Sequence, residues 1–500
     1  MTGRPLFISG GRVLSPQAGE GPQDAAPAEI LVQDGRIRAL LPPGTPRPPD
    51  AEALDATGHL LIPGLVNAHT HSHLAFAKGI QDRWNLELHL NAGPWTNVLL
   101  SHAHRRLATL LSAAEMISKG CTAAYDLHFE IPEPTLEGME CVAEAYEEAG
   151  MRVLIAPMLA DKSIWQAIPG LAAAAPQAPP SLAATRPTSA TLADLDHLVR
   201  AWRYPRAQAG LGLAPTIPLH CSQDLMRGCA ELSRAQGLQV HMHLAESKLQ
   251  AVAGAQVYGE SLTAHLARIG LLSDRFTAAH AVWLEDADMD ILAAHGAKVA
   301  HNPGSNLRLG NGIAAARRMR ARGLTLGIGT DASSCADGLN MFEAMRSAAL
   351  VSHIMSDDPR RWLAASEVFS MATEGGAALM GLEQEIGRLA PGYAADIVFL
   401  SLDHLNYIPL NAPLQQMVFM ETGAAVQRVM VAGRTLYADG VFLTLDLPKL
   451  KREVEAAVEE IRAQVSDRKA QCAALAPSLL EACLCMSRSS GLTERRFSCA

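Results

Sequence analysis

The sequence predicts an α/β fold in which a (β/α)8 barrel, or TIM barrel, carries a small β-sandwich built from both termini. Short apolar runs that are typical of strands alternate with helical patterns over residues 61–384. Short strands broken by Gly, Asp-Gly and Pro occupy residues 1–60 and return over 385–446. The side chains best suited to chemistry follow the predicted barrel strands, where such barrels place their active sites.

The two terminal segments have the same β-rich texture. PLFISGGRVL, AEILVQDGRIRALLP and AEALDATGHLLIPGL open the chain, and IGRLAPGYAADIVFLSL and VQRVMVAGRTLYADGVF lie near its end. One β-sandwich assembled from 1–60 and 385–446, with the main domain inserted between them, is the economical interpretation.

Eight apolar runs in the middle of the chain are predicted to be the barrel strands. Helix-like stretches such as HRRLATLLSAAEMISKG separate them, which favours parallel strands with crossover helices. The predicted strands are 60–69, 121–127, 152–159, 210–216, 239–244, 276–284, 297–302 and 324–330.

Three further segments lie outside these patterns. Residues 167–190 are rich in Ala and Pro and predict a long surface loop, either a lid or a mobile excursion. Residues 447–475 predict a C-terminal helix that docks through one apolar stripe, and 476–500 predict a flexible tail. The stripe consists of Leu450, Val454, Val458, Ile461 and Val465.

Composition narrows the class of protein. The 500 residues are 49% hydrophobic and 19% charged, which is typical of a globular protein, and the net charge of −9 disfavours nucleic-acid binding. No apolar run reaches the roughly 18–20 residues of a membrane span, and the start shows no secretory signal. Nine sparse cysteines do not form a disulfide framework. We therefore expect a cytoplasmic enzyme with neither a membrane nor a nucleic-acid partner.

Histidines and carboxylates follow four of the predicted strands. His69 and His71 end the first strand, and alternation along a strand lets both imidazoles face the barrel axis. His243 ends the fifth strand and Asp331 the eighth. Three histidines and one carboxylate complete a mononuclear metal site with room for water. Glu246 and His280, after the fifth and sixth strands, remain for acid–base catalysis.

The motifs around these residues resemble those of the amidohydrolase superfamily. They are PGLVNAHTH, HLAES, AAHAVWL, AHNPGSNLRLGNGI and GTDASSCADGLNMFEAMR. They are most similar to the aminohydrolase branch, which includes cytosine, guanine, S-adenosylhomocysteine and triazine deaminases and chlorohydrolases. The resemblance spans roughly residues 5–445 and is specific for the superfamily rather than for a substrate.

The resemblance implies a role for each residue of the site. His69, His71, His243 and Asp331 would bind one divalent ion per subunit, with Zn²⁺ favoured over Fe²⁺. Binuclear members use a lysine at the end of the fourth strand, where this chain reads GLGLAPTIPLHCS. Glu246 would shuttle protons, His280 would orient or polarise the attacking water, and Asp331 would accept the proton of that water.

Substrate contacts are predicted in the loops after several strands. In the first loop the candidates are Gln81, Trp84, Asn85, His89 and Trp95, of which Trp84 either stacks on a planar ring or packs a lid. Thr216 replaces a histidine of nucleoside-type deaminases, and this replacement makes purine nucleosides doubtful substrates. Further candidates near strand ends are His128, His220, His301 and Asn306, whereas His241 is predicted to be a barrel-core residue or to lie behind the metal ligands.

The sequence therefore predicts a mononuclear metal-dependent hydrolase that deaminates a small amino-substituted heterocycle of pterin, pyrimidine, purine or triazine type, with release of ammonia. An alternative keeps the site but displaces chloride or an alkylamine from such a ring, or hydrolyses a cyclic or linear amide. A third possibility is a catalytically inactive relative that serves as a binding protein. Relatives commonly assemble, so we expect a homodimer or a larger homo-oligomer.

Overall fold

The computed structural model describes residues 4–14, 25–97, 100–130, 133–169, 171, 186–488 and 491–496. Strands and helices alternate through the middle of the chain, strands dominate the N-terminal flank, and the C-terminal flank combines four strands with helices. The fold is therefore of mixed α/β type, as predicted.

Nine strands from the two ends of the chain form one hydrogen-bonded sheet. They are β1 Leu6–Val13, β2 Ala26–Gln33, β3 Arg36–Leu41, β4 Glu52–Asp55, β5 His59–Pro63, β15 Ile397–Ser401, β16 Val426–Val431, β17 Arg434–Ala438 and β18 Val441–Phe442. Their order is β18-β17-β16-β15-β5-β1-β2-β3, and β4 pairs with β1. The antiparallel pair β5 and β15 joins the two termini, with Ile397 opposite Pro63. Both termini thus contribute to one β unit, whose sandwich arrangement and domain limits stay predictions.

The Asp-Gly pair in the N-terminal segment makes a tight turn between β2 and β3. Asp34 and Gly35 have φ values of +50° and +77°. A two-residue hairpin turn of this kind needs positive φ at both central positions, and Asp-Gly is a favoured pair there.

Nine parallel strand segments between the terminal parts occupy eight positions of a ring. They are β6 Leu65–Thr70, β7 Cys121–His128, β8 Arg152–Leu159, β9 Gly210–Leu211, β10 Ala214–Pro215, β11 Val240–Leu244, β12 Phe276–His280, β13 Lys298–His301 and β14 Thr325–Ile328. β6, β7, β8 and β10 pair in that order, β9 also pairs with β8, and β11 to β14 pair in chain order. Isolated parallel bridges, Leu213 with Val240 and Thr70 with Asp331, connect the two groups. Each predicted strand has a counterpart, and β9 and β10 share the fourth position. The first predicted run, 60–69, is divided, because residues 60–63 belong to β5 of the terminal sheet and 65–69 to β6.

The sixth strand of the ring is shorter than the predicted run 276–284. β12 ends at His280, because His280 and Ala281 have φ values of +66° and +49°. Positive φ values leave the β region, so the chain turns out of the sheet at the residue predicted to be catalytic.

α-Helices fill the connections between the ring strands, three more follow the last ring strand, and another lies between β15 and β16. They are α1 Leu86–Asn91, α2 Gly93–Thr96, α3 His102–Ser118, α4 Leu136–Ala149, α5 Ile164–Ala167, α6 Thr188–Ala201, α7 Arg206–Ala209, α8 Gln223–Gln236, α9 Lys248–Tyr258, α10 Leu262–Arg268, α11 Asp286–Ala294, α12 Pro303–Arg308, α13 Ala316–Ala321, α14 Met341–His353, α15 Ala365–Ser370, α16 Gly376–Met380 and α17 Pro413–Phe419. A π-helical turn, Met371–Gly375, joins α15 and α16. The loop predicted over 167–190 lies largely on residues outside the described ranges.

The C-terminal region differs from the predicted helix 447–475 and flexible tail 476–500. It forms two helices, α18 Leu447–Gln464 and α19 Ser466–Ser487. The helix continues past 475 because Cys472, Leu479 and Cys483 recur on one face and are buried. Beyond α19, the backbone N–H of Ile313 donates to the carbonyl of Arg495 at 2.9 Å, so the prediction of a free tail is wrong for the described residues.

α19 is also the one described helix that is long and apolar enough to meet the length-and-composition criterion for a membrane span. One such helix is weak evidence for a membrane protein. α19 packs against α1, α2 and α9, which places it on the face of the molecule that carries the loop after the first ring strand.

Candidate active site

Five side chains from four strand positions meet at the carboxyl edge of the ring. His69 and His71 belong to β6, His243 to β11 and His280 to β12, while Asp331 follows β14. All five are buried. The carboxyl ends of parallel strands share one edge, so residues distant in sequence come together there.

The ligand atoms of these side chains surround one small volume. His71 Nε2 lies 3.3 Å from Asp331 Oδ1 and 3.3 Å from His243 Nε2. His69 Nε2 lies 3.5 Å from Asp331 Oδ1. In two groups, His69 with His71 and His243 and His69 with His280 and Asp331, the ligand atoms all lie within 4.8 Å of one another.

The hydrogen bonds behind two of the histidines fix their tautomers. His71 Nδ1 lies 2.7 Å from the carbonyl oxygen of Leu127, and His243 Nδ1 lies 2.8 Å from that of Thr216. A carbonyl oxygen only accepts, so each neutral ring donates through Nδ1 and presents a lone pair at Nε2. Two lone pairs facing each other at 3.3 Å repel unless a cation lies beside both. This donor set fits a divalent ion such as Zn²⁺ or Fe²⁺.

Burial keeps these imidazoles in the form that binds metals. It lowers the pKa of His69 to about 3, although the hydrogen bond with Asp331 acts to raise it. Burial also places the pKa of His243 well below its usual value, and the neighbouring His69 and His71 lower it further. Neutral imidazole is the usual metal ligand.

Asp331 divides its two oxygens between different partners. Oδ1 faces His69 and His71, whereas Oδ2 accepts hydrogen bonds from Ser305 Oγ at 2.5 Å and Cys335 Sγ at 3.3 Å. Burial acts to raise the pKa of Asp331, but the hydrogen bond with His69 and the nearby His280 and His71 hold it well below 3.8. The carboxylate therefore stays ionised, with Oδ1 directed at the Nε2 atoms of His69 and His71.

Glu246 and His280 lie next to each other beside the other histidines and Asp331. His280 Nε2 lies 3.7 Å from Glu246 Oε2 and 3.9 Å from Asp331 Oδ2. Asn306 Oδ1 lies 2.9 Å from His280 Nδ1, and Asn311 Nδ2 donates to Glu246 Oε1 at 2.9 Å. Burial raises the pKa of Glu246 well above its usual value, and the charges of Asp331 and Glu87 raise it further. Glu246 is thus suited to carry a proton near neutral pH.

Backbone strain is concentrated at the same edge. Ala245, His280, Ala281 and Asp331 all have φ values between +48° and +66°. Residues with a Cβ rarely adopt this region, and such strain clusters at functional sites. Here it lies where three strands end and their side chains turn toward the shared volume.

A cavity of about 540 Å³ lies against these residues. Besides the site residues, its wall mixes apolar side chains with imidazoles, amides and charged groups. They include Leu74, Leu86, Leu90, Phe129, Met158, Ile164, Trp165, Leu309, His73, His89, Asn91, Glu130, Glu133, Lys162, Arg186, Thr216, His220 and Arg468. The volume suits a small organic molecule.

Three of the predicted substrate contacts line this cavity. They are Thr216, His220 and, from the first loop, His89. Burial lowers the pKa of His220 and of His89 to about 4 in each case. Both imidazoles are therefore neutral and can donate at one nitrogen and accept at the other.

The other first-loop candidates do not line the cavity. The Gln81 amide donates to the carbonyl of Ser334, and Asn85 Oδ1 accepts from the backbone of Leu88 at 3.0 Å to cap α1. Trp84 and Trp95 pack edge to face, with ring centroids 6.3 Å apart. The contacts of these four residues hold the loop in place. Gln81 and Asn85 bond to backbone groups because a surface loop must satisfy its own polar groups.

His128, His301 and Asn306 lie behind the cavity wall. The His128 ring packs against His73 at 5.0 Å, and neither His128 nor His301 has a hydrogen-bond partner among the described residues. Asn306 contacts His280 rather than the cavity. These three residues were predicted to touch substrate, and the structure instead places them one layer further out.

Some residues of the site carried no sequence prediction. Ser305 and Cys335 hold Asp331, and His73 and Trp165 line the cavity. His73 continues the alternation of His69 and His71, which was a usable signal. Arg468 belongs to the C-terminal helix α19, and no local pattern indicates that this helix reaches the cavity.

Comparison with protein families gives one extended match. Residues 60–436 match the sequence pattern of the family described as Amidohydrolase family. The match contains all five strand-end residues and Glu246, and it ends before α18 and α19.

Individual proteins are similar over most of the chain. A 5'-deoxyadenosine deaminase of Methanothermobacter thermautotrophicus is 33% identical over 437 residues, which cover 86% of this chain and 94% of the relative. An adenosine deaminase of Xanthomonas campestris, solved with bound zinc, has a TM-score of 0.80 at 25% identity and covers 92% of this chain and 98% of its own. The atrazine chlorohydrolase TrzN of Arthrobacter aurescens, with zinc, has a TM-score of 0.81 at 23% identity, covers 91% and 100%, and shows a shared fold.

Proposed function

This chain belongs to the amidohydrolase family, and on that premise we propose that it hydrolytically deaminates a small amino-substituted heterocycle. It is a hydrolase that acts on C–N bonds other than peptide bonds. One observation carries the proposal: a buried Glu246 with a raised pKa lies beside His280 and the ligand set in one cavity. A heterocycle can meet an acid and an activated water there at the same time.

We propose one divalent ion per subunit, held by His69, His71, His243 and Asp331, with Zn²⁺ favoured over Fe²⁺. The tautomers of His71 and His243 support this ligand set, and a fold relative is described with bound zinc. The segment 210–222 after the fourth strand position contains no lysine, which supports one ion rather than two. When bound, such an ion supplies Lewis acidity and lowers the pKa of water toward neutrality.

The residues of this chain then divide the proton transfers. Ionised Asp331 accepts a proton from the attacking water, and protonated Glu246 donates one to a ring nitrogen of the substrate, which makes the neighbouring carbon electrophilic. His280, whose Nδ1 donates to Asn306, presents a lone pair at Nε2 and accepts a hydrogen bond from the attacking water, which orients that water. A proton passes to the exocyclic amine, the C–N bond breaks, and ammonia leaves while the ring carbon keeps the oxygen of water.

The relatives make adenine nucleosides the first substrates to test. Both deaminases compared above act, by their names, on adenosine or 5'-deoxyadenosine. Thr216 counts against this class because it stands in the cavity wall where nucleoside-type deaminases have a histidine, and His220 lies close by in the same wall. The doubt about purine nucleosides stays a prediction, alongside pterin, pyrimidine and triazine substrates.

Family membership also supports the finer fold assignment, a (β/α)8 barrel with a β-sandwich domain from 1–60 and 385–446. The ring of parallel pairings agrees with that assignment. Cytoplasmic localisation and assembly into a homodimer or larger homo-oligomer stay predictions from the sequence.

An ammonia-release assay tests the proposal. Zinc-reconstituted protein is incubated with adenosine, 5'-deoxyadenosine and a panel of aminopyrimidines, aminopterins and aminotriazines, and chloride and alkylamine release are measured in parallel. We expect ammonia from at least one amino-heterocycle. Release of chloride or alkylamine without ammonia would favour the alternative displacement reaction. Zinc-loaded protein that turns over nothing in either assay would contradict the proposed activity.

A further inference from the structure

We propose that His241 is a positioning residue that fixes the tautomer and orientation of His69, so that His69 Nε2 faces the metal site. The inference rests on the proposed ligand set and concerns a residue that touches neither the cavity nor the substrate. His241 lies in the layer of the ring beneath the ligands.

His69 differs from the other histidine ligands in what lies behind it. The Nδ1 atoms of His71 and His243 are bonded to backbone carbonyl oxygens. His69 Nδ1 instead lies 3.2 Å from Nε2 of His241, a side chain that can either donate or accept. The backbone therefore sets two of the tautomers, and a second imidazole sets the third.

The place of His241 in the ring suits this task. It lies two residues before His243 on β11, so both side chains project from the same face of the strand. It is fully buried, and its ring packs edge-on against Tyr125, with centroids 4.4 Å apart and planes at 75°. Tyr125 is also fully buried. Packing from β7 thus holds the His241 ring beneath His69.

The imidazole pair can share one proton in two ways. If His69 donates through Nδ1, its Nε2 presents a lone pair toward His71 and Asp331. If His241 donates instead, His69 Nε2 carries the proton and cannot bind an ion. His69 can bind an ion only in the first arrangement, so the direction of this hydrogen bond decides whether His69 is a ligand.

A purely structural role does not explain His241. Its Nδ1 is buried without a hydrogen-bond partner among the described residues, which costs stability. An apolar side chain would fill the same space without that cost. The only hydrogen bond described for its imidazole is the one to His69, so that bond is what the histidine contributes.

Metal affinity separates this role from simple packing. We would measure the Kd for Zn²⁺ by competition with a chromophoric chelator for wild type, His241→Leu and His241→Gln, and the melting temperature of each metal-free protein. His301→Leu is the matched control, because His301 is a buried histidine of another ring strand, β13, and has no hydrogen-bond partner among the described residues.

We expect His241→Leu to weaken zinc binding about 10–100-fold, the range for groups that orient a metal ligand. His241→Gln should recover most of the affinity, because its amide oxygen accepts from His69 Nδ1. His301→Leu should bind zinc as wild type does. Equal zinc affinity in wild type and both His241 variants would overturn the inference, and so would a Gln variant as weak as the Leu variant. Wild type that binds no zinc would instead refute the proposed metal site.

Discussion

Glu246 and Asp331 are two buried carboxylates whose surroundings shift their pKa values in opposite directions. Burial acts to raise the pKa of Asp331, but the hydrogen bond with His69 and the nearby His280 and His71 hold it well below the usual range. Burial and the charges of Asp331 and Glu87 raise the pKa of Glu246, although the hydrogen bond from Asn311 acts to lower it. Two carboxyl groups with separated pKa values can serve as base and acid at the same pH.

Replacing Glu246 by Gln tests the acid–base role. The amide keeps the size of the side chain and its contact with Asn311 but cannot transfer a proton. We expect kcat to fall about 10²–10⁴-fold while zinc content stays at the wild-type level, measured by ammonia release and metal analysis. Glu260→Gln, at a partly exposed glutamate paired with Arg268, is the control and should retain activity. A fully active Glu246→Gln enzyme would remove the proposed acid–base role.

Sequence reasoning at the residue scale worked where chemistry follows strand ends. His69, His71, His243, His280 and Asp331 were identified because alternation and strand position alone bring them to one edge. Residues in the layer behind them, such as Ser305 and Cys335, depend on the distance between separate loops, which no local pattern encodes. The sequence left two roles open for Trp84, stacking on a substrate ring or packing a lid, and the structure packs it edge to face against Trp95.

At the scale of elements, the C-terminal segment reinforces the loops around the site. The Arg495 guanidinium donates to the carbonyl of Leu284 at 2.6 Å, and the Arg495 carbonyl accepts from Ile313. Asn91, which lines the cavity, donates to the carbonyl of Cys472 at 2.8 Å. Helix α19 and residues 491–496 therefore contact loops after the first, sixth and seventh ring strands.

Gly312 allows this segment to approach. Its φ is +121°, and a Cβ there would lie 2.7 Å from the carbonyl oxygen of Arg495. We expect Gly312→Ala to release residues 491–496 and to speed trypsin cleavage after Arg495 about tenfold or more, since the hydrogen bonds lost contribute about 1–3 kcal/mol. Cleavage would be followed by mass spectrometry under native conditions.

Gly310→Ala is the control for backbone strain. Gly310 also has positive φ, +63°, but a Cβ there meets no atom within 4 Å. It should strain the same loop without displacing Arg495. Equal cleavage rates in the two variants would show that the close approach at Gly312 does not hold the segment.

The elements themselves were predictable to different degrees. The ring strands could be predicted because buried parallel strands are short apolar runs. The end of β12 could not be predicted, since the positive φ of His280 is imposed by its surroundings. Helix α19 was cut short in the prediction because Pro477 and the scattered cysteines hide its apolar face. Its partners lie far away in the sequence, on α1, α2 and α9.

On the scale of the whole molecule, the terminal sheet and the parallel ring are joined by buried polar contacts. Arg152 on β8 forms an ion pair with Asp396 at 2.8 Å, just before β15. Asp396 also accepts from the backbone of Ala432 at 2.7 Å, and its carbonyl accepts from Gly64 at 2.9 Å. Breaking one partner of such a buried pair is costly, so the two parts should unfold together.

Zinc should therefore stabilise the whole chain rather than the ring alone. An ion that binds only the folded protein raises the free energy of unfolding by RT ln(1 + [L]/Kd), which is about 4 kcal/mol when free zinc is 1,000 times Kd.

All 6 tryptophans lie between residues 84 and 362, so their fluorescence reports on the ring, whereas far-ultraviolet circular dichroism reports on all elements. Thermal unfolding followed by both probes, with zinc and with a chelator, should shift to higher temperature by the same amount on zinc addition. His71→Ala should show a smaller shift, because it lacks one proposed ligand. Zinc could instead raise the unfolding temperature seen by fluorescence while a separate transition seen by circular dichroism kept its temperature. The terminal sheet would then be an independent folding unit, and the Arg152–Asp396 pair would not couple it to the site.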